Sequence, residues 1–171
     1  MGIAELRTRF SRVQLAFSAG RFDELCQQVG PLADDARRRQ SWHMVSQCLS
    51  LRGAAHLRMH RRDAARDDLR EAIRVAWLTL DGWNAALALW TLPQALAHLR
   101  QPELAQQLAG FIGSFWVQRF SPLNGNYEQA LRRTRRVAAA QIDARASATA
   151  FEAGSRLSLA EAVTLALATA P

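Results

Sequence analysis

Lysine is absent from this sequence of 171 residues, and its absence excludes several kinds of chemistry. A phosphate-binding loop of the form Gly-x-x-x-x-Gly-Lys, a Schiff-base amine and a Ser-Lys catalytic pair all require a lysine side chain. The formal net charge of +7 therefore comes from arginine in excess over 15 acidic residues. Nucleotide hydrolysis by a P-loop and amine-based catalysis are excluded.

Other catalytic signatures are also missing. The sequence contains no His-Glu-x-x-His, no Gly-x-Ser-x-Gly and no Gly-x-Gly-x-x-Gly. His56 and His60 stand four residues apart, a spacing at which a helix offers two imidazoles to one metal, but no third ligand accompanies them. A half-buried His56 is therefore favoured over a metal ligand. We predict that the protein is not an enzyme and uses no cofactor or metal.

Cysteine and long apolar runs are scarce. The only cysteines, Cys26 and Cys48, lack the close spacing of a zinc site or a disulfide framework, as is usual in a reducing cytoplasm. The first ten residues, MGIAELRTRF, are charged at Glu5, Arg7 and Arg9 and therefore lack the apolar run of a signal peptide. No apolar stretch approaches the roughly 18 residues that indicate a membrane span. These features predict a soluble, cytoplasmic protein that does not associate with a membrane.

The pattern that is present repeats every 40 residues. Gly20, His60 and Arg100 each open a polar turn, and an acidic residue follows three positions later. Three positions after each turn are apolar in all three copies, nine residues in total: Leu25, Ala65 and Ala105, then Val29, Leu69 and Ala109, then Leu32, Ala72 and Ile112. Spacings of four and then three residues are typical of one face of a helix. The period predicts three helical hairpins.

The second copy resembles the tetratricopeptide repeat. Gly53 stands seven residues before the turn, and Ala65, Leu69 and Ala72 follow at that repeat's packing positions. The period exceeds the usual ~34 residues, and Val13 and Pro93 replace the glycine in the other copies. The resemblance implies an all-α, tetratricopeptide-like α-solenoid of about three hairpins over residues 1–120. Residues 121–171, which follow the turn cluster SPLNGN, are expected to form C-terminal capping helices.

In tetratricopeptide repeats the first helix of each hairpin lines a concave groove. Counting from positions 13, 53 and 93, the resemblance places twelve side chains there: Arg7, Phe10, Gln14 and Phe17, then Gln47, Ser50, Leu57 and Arg58, then Leu87, Trp90, Gln94 and His98. Aromatic anchors beside hydrogen-bonding groups suit a protein or peptide partner or a small effector. The alternative is a groove that is solvated or filled by the chain's own cap.

Two sets of arginines could instead bind nucleic acid. The first set, Arg62, Arg66, Arg70 and Arg74, recurs every four residues, but acidic residues three positions before Arg66, Arg70 and Arg74 predict a solvated, self-paired face. The second set, Arg132, Arg133, Arg135 and Arg136, shares one side of a helix in the cap. A solvated surface is favoured there too. Direct nucleic-acid binding is the alternative function.

Several local features carry predictions of their own. The aromatic residues Trp77, Trp83, Trp90, Phe111, Phe115, Trp116 and Phe120 are expected to fill the core between hairpins, with a ligand pocket as the alternative. Pro31 is expected to kink or break its helix, and Pro93 is expected to bend its helix. Ser41 and Asp81 are placed to cap helices, as are Ser158 and Glu161, which form a capping box. Gly154 is expected to end a helix.

The C-terminal region carries a narrower resemblance. Its segments LAGFIGSFWVQRFSPLN, RRTRRVAAAQI and FEAGSRLSLAEAVTLALA resemble the end of large bacterial transcriptional regulators. Those proteins join a DNA-binding domain to a signalling ATPase domain and finish in helical repeats. The resemblance implies that this chain is the non-enzymatic interaction or effector-sensing arm of such a regulator.

Overall fold

The structure is a computed structural model that describes residues 3–119 and 125–168. Within these ranges every regular element is an α-helix, which confirms the predicted all-α helical repeat fold. The described helices are α1 Ile3–Ser18, α2 Phe22–Arg38, α3 Trp42–Arg58, α4 Arg62–Leu78, α5 Gly82–His98, α6 Pro102–Arg119, α7 Gly125–Ala139, α8 Ala144–Ser155 and α9 Leu159–Ala168. None of them is long and apolar enough to cross a membrane.

The turns from α1 to α6 have one geometry, repeated every 20 residues. Each turn centres on a residue with positive φ, between 56° and 73°: Gly20, Gln40, His60, Leu80 and Arg100. The amide that follows donates to the carbonyl five residues earlier at 2.8–3.1 Å, the bond that closes a helix in a Schellman motif. Helices of 16–18 residues thus alternate with short turns. The 40-residue period is two such steps.

The chain forms two compact units, residues 1–88 and residues 89–171. In the first unit α1 packs on α2, α2 on α3 and α3 on α4. The six repeat positions predicted to be apolar there are buried, with at most 1% of their surface exposed: Leu25, Val29, Leu32, Ala65, Leu69 and Ala72. Gly53 lets α3 approach α4 closely, because a Cβ at this position would lie 2.7 Å from the Leu69 Cγ.

The second unit is organised around α6, which contacts α7, α8 and α9. Gln106 is buried on α6, and its Nε2 donates to the Arg135 carbonyl of α7 at 3.0 Å and to the Ser147 Oγ of α8 at 2.7 Å. The α6 and α8 backbones meet at Gly110 and Gly154, where an added Cβ on either would overlap the backbone of the opposite helix. Two glycines thus set the distance between these helices.

Gly154 lies one residue before the end of α8 at Ser155, so the helix ends where predicted, and its missing Cβ also admits the Gln107 carbonyl of α6. α2 runs through Pro31, so a helix break there is wrong, and α5 runs through Pro93. The kink expected at Pro31 and the bend expected at Pro93 stay predictions. Pro31 removes the amide that would bond to the Gln27 carbonyl, and both residues are exposed, so water can satisfy that carbonyl.

The predicted helix caps have mixed outcomes. The Asp81 Oδ1 accepts from the Asn84 amide at 3.1 Å, and Ser158 and Glu161 form the reciprocal bonds of a capping box at 2.7 Å and 3.3 Å. Ser41 occupies the N-cap position of α3, but its side chain makes no capping bond. The predicted domain boundary, after residue 120, falls where residues 120–124 lie outside the described ranges, and it stays a prediction.

Candidate functional site

In the first unit, the residues predicted to line a groove remain partly accessible. We define the first-helix face as these nine residues: Arg7, Phe10, Gln14 and Phe17 on α1, Gln47, Ser50, Leu57 and Arg58 on α3, and Leu87 on α5. Arg7, Gln14 and Arg58 are exposed, and the other six are half-buried. The face therefore combines accessible polar groups with partly covered apolar ones. Its role in binding stays a prediction.

Contacts of Phe22 on α2 connect α1 and α3 at one end of the first-helix face. The rings of Phe17 and Phe22 meet edge to face with centroids 5.5 Å apart, and the Arg58 guanidinium lies 5.8 Å from the Phe22 centroid. Arg7 and Arg58 form no ion pair with any carboxylate in the described part of the chain. The face therefore carries positive charge that the described residues do not neutralise.

The remaining predicted groove residues, Trp90, Gln94 and His98, lie in the second unit, where α7 packs along them. The Trp90 ring meets the Tyr127 ring of α7 and the Trp116 ring at centroid distances of 5.2 Å and 5.7 Å, both edge to face. The space between Trp90, Gln94 and α7 is about 10 Å³, too little for more than one water. His98 stays exposed. In this unit the chain's own helix covers the positions of Trp90 and Gln94.

A charged cluster between α3 and α4 was not predicted. The Asp68 carboxylate accepts two hydrogen bonds from Arg52, at 2.7 Å and 2.5 Å, and its Oδ2 lies 3.6 Å from the His56 Nε2. The side chains of Asp68, His56 and Arg52 are only 13%, 15% and 28% exposed. Burial lowers the pKa of His56 despite the nearby carboxylate. His56 is thus half-buried, as predicted, and it packs beside an ion pair.

The repeat register could have revealed this cluster. The positions 40 residues after Arg52, His56 and Asp68 are leucines, and each of these leucines is fully buried: Leu92, Leu96 and Leu108. A charge at a position that is buried in another copy requires a partner. The second hairpin therefore replaces three apolar packing residues with an ion pair and an imidazole.

The two cysteines are not activated. Burial raises the pKa of Cys48 to about 12 and also raises the pKa of Cys26. Both therefore remain protonated thiols at neutral pH, and a thiol is a poor nucleophile and metal ligand compared with a thiolate. Among the residues that the structure describes, no three potential metal ligands lie together.

Arg66 and Arg74 of α4 pair with carboxylates, and Arg66 is largely buried. Arg66 binds Asp63 at 3.1 Å and Asp67 at 2.8 Å, and its side chain is only 17% exposed. Arg74 pairs with Glu71. The predicted self-pairing is therefore confirmed for these two arginines, whereas a fully solvated face is wrong for Arg66. Asp67 pairs with Arg66, the residue immediately before it, whereas the sequence predicted a pair with an arginine three positions after it.

The four arginines of α7 differ in the groups that they contact. Arg132 pairs with Glu128, and the Arg135 guanidinium lies 3.6 Å above the Phe151 ring of α8, a cation–π contact. Burial lowers the pKa of Arg135. Arg133 and Arg136 are exposed, without an ion pair among the described residues. A phosphate-binding surface would thus rest mainly on these two, and nucleic-acid binding stays a prediction.

Several tryptophans lie at the surface. Trp77 and Trp83 are 36% and 48% exposed, so the prediction that they fill the core is wrong. They flank the turn between α4 and α5, whereas core positions lie along the middle of the helices. Phe111 is buried as predicted, Trp90, Phe115 and Trp116 are half-buried, and Phe120 lies outside the described residues. Trp42, which sequence analysis did not single out, is 41% exposed.

These observations define a class of protein: an all-α protein of helical hairpins that presents accessible aromatic and arginine side chains. No protein-family model, curated protein or solved structure matches the chain.

Proposed function

We propose that the protein is a non-enzymatic interaction module that binds a protein or peptide partner, or a small effector, on its first-helix face. The observation that carries the proposal is the pair of exposed arginines, Arg7 and Arg58, which have no carboxylate partner among the described residues. Arg58 also lies beside the half-buried ring of Phe22. Arginine and aromatic residues supply most of the binding energy in many protein interfaces.

The chemistry of this face favours a partner with carboxylates. A carboxylate can accept two parallel hydrogen bonds from one guanidinium, a geometry that fixes its orientation as well as its affinity. Phe10, Phe17 and Leu57 are half-buried and offer apolar contacts next to these charges. An acidic segment with one or two large apolar side chains would complement both.

The setting that we propose for this module is a bacterial transcriptional regulator. The C-terminal segments resemble the end of regulators that combine a DNA-binding domain with a signalling ATPase domain. An arm of helical repeats in such a protein would receive a partner or an effector and would not carry out the ATPase chemistry itself. The absence of lysine from the chain agrees with that division of roles.

Site-specific photo-crosslinking in the native cell tests this function. A crosslinking amino acid in place of Gln14, which is exposed on the first-helix face, is expected to capture a discrete partner. The same substitution at Gln27, an equally polar and exposed residue on α2, is expected to capture none. The two positions lie in one hairpin, so that expression and folding are matched.

Charge provides the second arm of this experiment. Replacing Arg7 and Arg58 with alanine is expected to remove the crosslink at Gln14, since the partner would lose its carboxylate contacts. Both arginines are exposed, and the helical circular dichroism should stay unchanged. Equal crosslinking at Gln14 and Gln27, or a crosslink indifferent to both arginines, would contradict binding at the first-helix face.

A further inference from the structure

An apolar surface lies at the end of the first unit where α4 turns into α5. We define the tryptophan end as Trp42, Trp77, Leu78, Leu80 and Trp83, which are 41%, 36%, 74%, 92% and 48% exposed. Single large apolar residues are commonly exposed on proteins, whereas a contiguous group of them indicates a contact surface. The five residues indicate a contact surface only if they lie next to one another.

Hydrogen bonds centred on Asp81 hold together the segments that carry the five residues. The Asp81 Oδ2 lies 3.0 Å from the His43 Nδ1 and accepts from the Asn84 Nδ2 at 2.6 Å. The Asn84 Nδ2 also lies 2.8 Å from the His43 Nδ1. These three residues directly follow Leu80, Trp42 and Trp83 in the chain. The first turns of α3 and α5 and the last turn of α4 are thereby held side by side.

The backbone conformation and the exposure of Leu80 are both unusual for a leucine. Its φ is +59°, in the left-handed region where a side chain costs roughly 1–2 kcal/mol and glycine costs little. It also exposes 92% of an apolar side chain. The equivalent turn one hairpin earlier carries Gln40, a polar residue with a φ of +56°. A leucine at this position thus gains nothing for the fold, which indicates that its side chain serves a contact.

Size and charge both point to a second copy of this chain as the occupant. Taking about 200 Å² for a large side chain, the exposed fractions correspond to roughly 600 Å² of apolar surface, and two such surfaces to roughly 1,200 Å². That total reaches the lower limit of specific protein interfaces, about 1,200 Å². The five side chains carry no charge, so two copies that meet here place no like charges opposite each other within the contact.

We propose that the protein forms a homodimer in which the tryptophan ends of two copies pack against each other about a two-fold axis. A two-fold interface requires one surface to be complementary to itself, which an uncharged apolar surface satisfies readily. This dimer contact involves none of the first-helix face residues. The proposal is therefore independent of the proposed function, and either can fail alone.

Sedimentation equilibrium on the full chain, from about 1 µM to 1 mM, tests the dimer, because weak and transient interfaces lie at the small end of the size range. The apparent mass is expected to rise from 19.0 kDa towards twice that value. Leu78→Gln with Leu80→Gln is expected to weaken the dimer roughly tenfold or more, since two apolar side chains leave the interface. Gln40 shows that glutamine fits the backbone of this turn.

Leu15→Gln is the matched control, because Leu15 is 65% exposed on α1 and lies outside the tryptophan end. It is expected to leave the association unchanged, and circular dichroism should show all variants equally helical. A chain that stays monomeric up to 1 mM overturns the proposal, even if its tryptophan end binds lipid vesicles or a peptide. A dimer that survives the double substitution, or that Leu15→Gln weakens equally, also overturns it.

Discussion

Gly154→Ala is expected to lower the free energy of unfolding of the second unit by about 3 kcal/mol, because overpacking against backbone cannot be relieved by a side-chain rotation. A Cβ on Gly154 would overlap the Gln107 carbonyl of α6 and would lie 2.7 Å from the Gln107 Cα. Either α8 moves away from α6 or both helices distort. Chemical denaturation followed by circular dichroism measures the loss.

Gly113→Ala is the control for this substitution. Gly113 lies on α6 one turn after Gly110, and its added Cβ would meet only side chains, at 3.5 Å from the Leu131 Cδ2 and 3.9 Å from the Phe151 Cζ. These are ordinary contacts, and alanine is favoured over glycine inside a helix by up to about 1 kcal/mol. Gly113→Ala should therefore stabilise the protein slightly. If both substitutions have the same effect, the close approach of α6 and α8 is wrong.

Asp68→Ala is expected to lower the free energy of unfolding by about 3 kcal/mol, because it leaves the Arg52 guanidinium largely buried without its partner. The loss should be at the lower end of the range for buried pairs, since the Arg52 side chain keeps 28% exposure and can reach water. His56 also loses the nearby carboxylate. Urea denaturation of the variant and of the wild type gives the difference.

Replacing the whole cluster should have the opposite outcome. Arg52→Leu, His56→Leu and Asp68→Leu together copy the leucines that the third hairpin carries at the equivalent positions, all of them fully buried. Well-packed apolar residues can replace a buried ion pair without loss, and often with a gain of about 1–4 kcal/mol. We expect the triple variant to be at least as stable as the wild type. A triple variant as unstable as Asp68→Ala would show that the two sites are not structurally equivalent.

The hairpin architecture could be predicted because it depends on spacing. Apolar positions such as Leu32, Ala72 and Ile112 recur at intervals of 40 residues, and all three are buried. The turns could be predicted only in part. Gly20 is a residue type that commonly ends a helix, but Gln40 and Leu80 adopt the same left-handed conformation although neither residue type favours it. Hydrogen bonds and packing impose the geometry there, so composition does not reveal it.

The candidate sites were harder to predict because they depend on which neighbour a side chain meets. A helical wheel places Arg135 beside Arg132, yet Arg135 turns to Phe151 of another helix. Likewise, Trp83 is apolar and was assigned to the core, although its place beside a turn leaves it half exposed. Sequence periodicity shows which face of a helix a residue occupies. It does not show which residue of another helix packs against that face.

Every residue assigned to the first-helix face and to the tryptophan end depends on the 20-residue alternation of helix and turn. Nuclear magnetic resonance tests it most directly, through backbone chemical shifts and amide–Hα couplings of the assigned chain. We predict helical shifts interrupted by single residues of left-handed conformation at Gly20, Gln40, His60, Leu80 and Arg100. Helical shifts that continue through these positions, or left-handed residues at another spacing, would contradict the fold and the sites built on it.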